Sequence, residues 1–99
     1  MIQHFVFFKF KPGTPQEAFN QHMAMFAELE ANISQITSYQ AGRVTESVEQ
    51  PKRYDTAHCV TFATTEDLAI YLPHPAHQAF IEANKQNWAD LLVIDSVAD

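Results

Sequence analysis

Residues 2–11, Ile-Gln-His-Phe-Val-Phe-Phe-Lys-Phe-Lys, alternate with a period of two. One face carries Ile2, His4, Val6, Phe8 and Phe10, and the other carries Gln3, Phe5, Phe7, Lys9 and Lys11. Both faces hold large apolar groups. The pattern therefore predicts a strand covered on both sides, at least over its first half. Pro12-Gly13 marks a turn. Thr14-Pro15-Gln16-Glu17 then reads as a helix start in which Thr14 caps, Pro15 takes the first helical position and Glu17 stands three after the cap. Phe19, Met23, Phe26, Leu29 and Ile33 recur at spacings of three and four. They predict a helix to about Asn32 with those residues as its core stripe. Met23 and Met25 read as core filling, and His22 falls off the stripe and is expected on the helix surface or its edge.

Residues 36–46 read as a second strand, in which Gly42 marks a bulge or a close backbone approach. A polar loop through Pro51 follows, and residues 53–63 read as a third strand. Its large face is Tyr54, Thr56, His58, Val60 and Phe62, and its small face is Asp55, Ala57, Cys59, Thr61 and Ala63. Thr64-Thr65-Glu66-Asp67 supplies a capping threonine and first-turn acids for a helix. That helix must end by Leu72, because Pro73 removes a donor and restricts its predecessor. Pro75 starts another helix, expected to reach about Trp88 with Ala79, Phe80, Ala83 and Trp88 inward. Residues 91–97 read as the last strand. The order is strand, helix, strand, strand, helix, strand, which predicts an α+β, ferredoxin-like fold with helices on one face of a four-stranded antiparallel sheet. The apolar groups on both sides of residues 2–8 then predict that the opposite face meets a second copy, giving a homodimer through sheet faces.

Composition sharpens this picture in three respects. A chain of 99 residues is expected to be one domain over 1–99. At that size folding buries roughly 60–65% of the extended-chain surface. Yet 46% of the residues are hydrophobic, a load that again asks for a partner surface. The net charge of −6, with six scattered basic residues, argues against nucleic acid and against an anionic membrane as partners. Cys59 is the only cysteine, which excludes an intrachain disulfide. There is no long apolar run and no signal-peptide core, so a soluble cytoplasmic protein is expected.

Candidate chemistry concentrates in Tyr71-Leu72-Pro73-His74-Pro75-Ala76-His77. With Pro75 first in its helix, His77 is third, where the positive end of the helix dipole disfavours protonation. A neutral histidine suits a general base beside a carbonyl. The plainer reading of His77 is a histidine packed against the sheet with a local hydrogen bond. Tyr71 can hydrogen-bond a developing enolate oxygen, or be a half-buried aromatic with its hydroxyl in water. His74 precedes Pro75 and is biased to extended backbone; it reads as a cap for the following helix, with a substrate contact as the functional alternative. His4 lies mid-strand among apolar neighbours, either lining a pocket and contacting substrate or sitting as a satisfied core histidine. His58 reads as structural. His74 and His77 are three apart but separated by a proline helix start, and no Cys or acid stands beside them at ligand spacing, so no metal site is expected. With Gly13 and Gly42 the only glycines there is no phosphate-cradling loop, and no cofactor is expected. Cys59 has no cysteine partner and no adjacent base, and reads as a small buried apolar residue.

Three segments give the chain a family resemblance: the opening strand Ile2–Lys11, Tyr54-Asp55 before an apolar strand, and the Tyr71–His77 string, with Leu91-Leu92-Val93-Ile94-Asp95 closing the pattern. Together they resemble the stress-responsive α/β-barrel (Dabb) family over nearly the whole chain. The resemblance implies a dimeric α+β barrel with a pocket in each protomer between sheet and helices. A plant polyketide cyclase of that family has a Tyr and a His at the positions of Tyr71 and His77, and a His where His4 stands. The resemblance thus implies a cofactor-independent cyclase or isomerase of small carbonyl or polyketide-like compounds, with Tyr71 and His77 catalytic and an apolar small-molecule pocket. A non-catalytic oligomeric stress protein is the alternative. A monooxygenase of the dimeric barrel type is a weaker one, resting on fold analogy alone.

Overall fold

The computed structural model describes residues 1–98. Its elements are β1 (Ile2–Phe10), α1 (Gln16–Asn32), β2 (Ile36–Arg43), β3 (Thr56–Phe62), α2 (Thr65–Tyr71), α3 (Pro75–Asn84), a 3-10 turn (Lys85–Asn87) and β4 (Trp88–Val97). The strands form one sheet in the order β2-β3-β1-β4, and each neighbouring pair runs antiparallel. This is the ferredoxin-like α+β arrangement.

The period-two reading of β1 holds. Ile2, His4, Val6 and Phe8 are buried on the side where Phe26, Leu29, Ile33 and Phe80 complete the core. The alternate side carries Phe5, which pairs with Cys59 and Ile94, and Phe7, which pairs with Ala57 and Leu92. An apolar band thus crosses three strands on the helix-free face. Leu92 and Ile94 in it are 39% and 47% exposed. Cys59 belongs to this face and is only half-buried, not enclosed as expected.

Several local expectations are corrected. Thr14 does not cap α1: its hydroxyl donates back to the Lys11 carbonyl at 2.7 Å, and Pro15 takes the N-cap position with no side-chain cap. The turn there closes tightly on Lys11, with Gly13 at φ 83°. Gly42 sits in the regular β2–β3 ladder opposite Ala57, with nothing near where a Cβ would stand. The irregularity falls instead between Ile36 and Ser38. Helix α3 stops at Asn84, whose side-chain amide donates to the Phe80 carbonyl at 2.8 Å. Trp88 therefore opens β4, not the last turn of a helix, and Ala79 is exposed.

The largest correction is His22. It is fully buried, because the inward stripe of α1 is His22, Phe26 and Leu29, with Phe19 and Met23 flanking it half-buried. Its ring lies edge-on to Phe8 and Phe10 at 4.5 and 4.8 Å between centroids. Trp88 Nε1 donates to its Nδ1 at 3.2 Å. His58 stands 5.4 Å away, ring to ring, and holds Tyr39 Oη through Nδ1 at 2.8 Å and Thr56 Oγ1 through Nε2 at 3.2 Å. Burial pushes His22 down to about 4. Burial, with His22 as a neighbour, pushes His58 down to about 3. Both rings are neutral members of the core at neutral pH.

Candidate functional site

The Tyr71–His77 string folds as the pattern demands. Helix α2 is capped by Thr64, whose hydroxyl accepts from Asp67 N at 3.1 Å, and its last residue is Tyr71. Pro73 breaks the helix. His74 then caps α3, its Nδ1 accepting from Ala76 N at 3.0 Å, with Pro75 in the first turn. The break turns Tyr71 and His77 toward each other, with ring centroids 4.3 Å apart. His4 approaches from β1, edge-on to Tyr71 at 5.8 Å.

These three rings share a cavity of about 170 Å³, closed otherwise by apolar groups such as Phe8, Phe80, Leu91 and Val93. Engineered apolar cavities of about 150 Å³ accept benzene, whereas drug-sized ligands occupy about 300–1,000 Å³. The space therefore suits a compound of a few heavy atoms more readily than a long chain. Its edge is β4, where Leu91 and Val93 are 43% and 48% exposed.

The hydrogen bonds fix the chemistry of each ring. The Leu72 carbonyl lies 2.9 Å from His77 Nδ1. A carbonyl only accepts, so Nδ1 carries the proton and Nε2 keeps its lone pair. Burial lowers the His77 pKa, and the nearby His4 and His74 lower it further, against the raising effect of the Leu72 carbonyl. Desolvation is the largest of these effects and favours the neutral ring. His4 Nδ1 pairs with Asp95 Oδ1 at 2.5 Å, an arrangement that orients the imidazole. Tyr71 is fully buried, and its hydroxyl meets no hydrogen-bond partner among the described residues. Burial raises its pKa well above the ordinary phenol range, which keeps the proton on oxygen and the group a donor. The reading of Tyr71 as half-buried with a wet hydroxyl is therefore corrected.

Of the four residues singled out from sequence, His4, Tyr71 and His77 line one cavity. His74 is not among the lining residues, and its Nδ1 is committed to the cap. Asp95 was not singled out. The signal for it was the alternation of β4, which sets a carboxylate on the face of Leu91 and Val93, directly opposite His4 in register. Among the described residues no group of three or more His, Cys, Asp or Glu is arranged to hold a metal ion, and no helix is long and apolar enough to cross a membrane.

The chain belongs to the stress responsive A/B barrel domain (Dabb) family, whose model matches residues 2–98. No curated protein matches it as a relative. Among solved structures it is similar to a protein of Arabidopsis thaliana, at 24% identity and TM-score 0.90, over 100% of this chain and 96% of that one. A hydroxynitrile lyase from Passiflora edulis superposes at TM-score 0.88 with 16% identity, over 99% and 93% of the two chains. A dimeric ferredoxin-like protein of unknown function from Thermobifida fusca superposes at 0.84 with 20% identity, over 98% and 90%. At these identities the likenesses establish the fold.

Proposed function

We propose that the chain is a cofactor-independent enzyme of small carbonyl compounds, a cyclase or isomerase, in which Tyr71 and His77 carry the reaction and His4 orients the substrate. The observation that carries this reading is the buried Tyr71 hydroxyl. An unsatisfied buried polar group costs about 1–3 kcal/mol, and this one belongs to a side chain that lines the cavity together with His77, whose Nε2 keeps its lone pair. A carbonyl oxygen placed there would accept the phenol hydrogen bond. His77 Nε2 would take the proton from the neighbouring carbon, and the resulting enolate would be held by Tyr71 as charge builds on oxygen. The carbanion then attacks a second carbonyl or takes back a proton, and imidazolium returns its proton to the product. His74 supports this indirectly, since its cap sets the start of the helix that presents His77. That a structural neighbour is named a hydroxynitrile lyase fits the same chemical class, because a hydroxynitrile is an adduct of a carbonyl compound.

The test is a screen of small β-dicarbonyl and poly-β-keto compounds against the purified protein. Turnover of the smaller members is expected. A panel left unchanged, with all compounds failing to bind, would favour the non-catalytic reading.

We also infer that the chain forms a homodimer through its helix-free sheet face. The band of Phe5, Phe7, Leu92 and Ile94 supports this, as does the dimeric description of a fold neighbour. Light scattering after size exclusion should give about twice the chain mass at micromolar concentration. Phe5→Asp should shift the protein toward monomer, since an unpaired charge buried there costs several kcal/mol. A monomeric parent protein would contradict the inference.

A further inference from the structure

A second cleft lies where the β1–α1 turn, the end of β2 and the approach to β3 meet. It encloses about 330 Å³ and shares no lining residue with the Tyr71 cavity. Its wall carries Lys11, Arg43 and Lys52 against one carboxylate, Asp55. These are three of the six basic residues of a chain whose net charge is −6. Charge is therefore concentrated here against the overall balance.

The carboxylate is already engaged. Asp55 Oδ2 accepts from Phe10 N at 2.8 Å, and Oδ1 faces Lys52 Nζ at 3.5 Å. Lys11 and Arg43 pair with no carboxylate among the described residues. Arg43 is nonetheless held in place, with its guanidinium 4.9 Å over the Phe19 ring. Stacking occupies the flat face of a guanidinium and leaves the N–H groups along its edge free to grip an anion. The turn bearing Lys11 is also fixed: its N donates to the Asn87 carbonyl at 2.8 Å, and its carbonyl accepts from Thr14 N at 3.2 Å. Phe19, beneath the Arg43 guanidinium, and Phe10, with centroids 5.3 Å apart, give the same cleft an aromatic lining.

We propose that this cleft binds a small organic anion, a phosphate or carboxylate carried on an apolar body. Arg43 and Lys11 grip the head group, and Phe10 and Phe19 receive the body. The volume lies at the small end of the range of about 300–1,000 Å³ usual for ligand sites. This binding does not depend on the chemistry assigned to Tyr71 and His77.

The test is an amide NMR titration of the full chain with phenyl phosphate, benzoate and inorganic phosphate, each against matched sodium chloride. Saturable shifts are expected for residues 10–16 and 43–44 at millimolar ligand with at least one aryl anion, and the one that saturates identifies the head group. Arg43→Gln should weaken binding about tenfold, as for loss of a charge-assisted hydrogen bond. Phe19→Leu should weaken the aryl anions more than inorganic phosphate, since it removes part of the aromatic lining as well as the ring that holds Arg43, and Tyr71→Phe should change none. No saturable shift with any probe beyond the chloride control would overturn the proposal, as would equal affinity in Arg43→Gln with an otherwise unchanged spectrum.

Discussion

Turnover of a small dicarbonyl substrate is expected to fall about 10²–10⁴-fold in His77→Ala and about 10²–10³-fold in Tyr71→Phe, with the fold intact in both. The two losses have different origins. In the proposed reaction His77 is the base: its Nδ1–H is held by the Leu72 carbonyl, so the lone pair that would take the proton is Nε2. In the same proposal Tyr71 is the donor to the enolate, and Phe keeps its ring against Phe62 and His4 while removing only the hydroxyl. Tyr71→Phe also removes an unsatisfied polar atom from the interior. It should therefore leave stability unchanged or raise it while activity collapses, a combination that separates catalysis from packing. Rate should fall on the acid side as His77 gains a proton. Because burial lowers the pKa of that group, the inflection should lie below the ordinary histidine value. Steady-state rates across pH for the parent and both variants check all of this, and turnover surviving both substitutions would contradict the assigned roles.

Stability is expected to fall steeply below neutral pH because of His22 and His58. Both fold as neutral rings, with pKa values pushed from 6.5 down to about 4 and about 3. Between those values and 6.5 the unfolded chain binds protons that the folded chain does not. Stability therefore rises with pH across that window, is complete above about 6.5, and is lost as pH drops through it. Each histidine contributes a slope of at most about 1.4 kcal/mol per pH unit. Two such slopes consume much of the 5–15 kcal/mol typical of a domain within a few pH units. Denaturant unfolding at neutral pH and at successively lower pH should show this decline. His22→Phe and His58→Phe should each remove about one proton from the slope, whatever they do to stability at neutral pH. A slope unchanged in both variants would show that the acid sensitivity arises elsewhere.

The parts of this protein that follow from local rules were legible in its sequence. The alternation of residues 2–10 sorted β1 into two apolar faces, though not which of them meets the helices, and Pro73 and Pro75 announced the helix break that brings Tyr71 to His77. The misreadings came where tertiary packing overrode a local pattern. His22 looked polar and peripheral beside Phe19 and Met23, yet the sheet selects the stripe one residue over, because Phe8, Phe10 and Trp88 provide an aromatic socket for an imidazole. Trp88 continues the helical spacing of Phe80, but Asn84 turns its amide onto the Phe80 carbonyl and ends the helix first. Asp95 was missed for another reason: the alternation of β4 set its face but not its partner. Its role depends on β1–β4 register across 91 positions of sequence separation, which no local pattern encodes. The burial of the Tyr71 hydroxyl likewise follows from how α2 seats on the sheet, not from the string that contains it.

Removal of a proton beside a carbonyl is the step proposed for the cavity of His4, Tyr71 and His77. Its most direct test is proton NMR of a small ketone such as cyclohexanone in deuterium oxide with the purified protein. The α-proton signal should decay faster than in buffer alone, and the acceleration should vanish in His77→Ala and drop sharply in Tyr71→Phe. Exchange no faster than buffer, for cyclohexanone and for smaller ketones that fit the cavity, would contradict the claim.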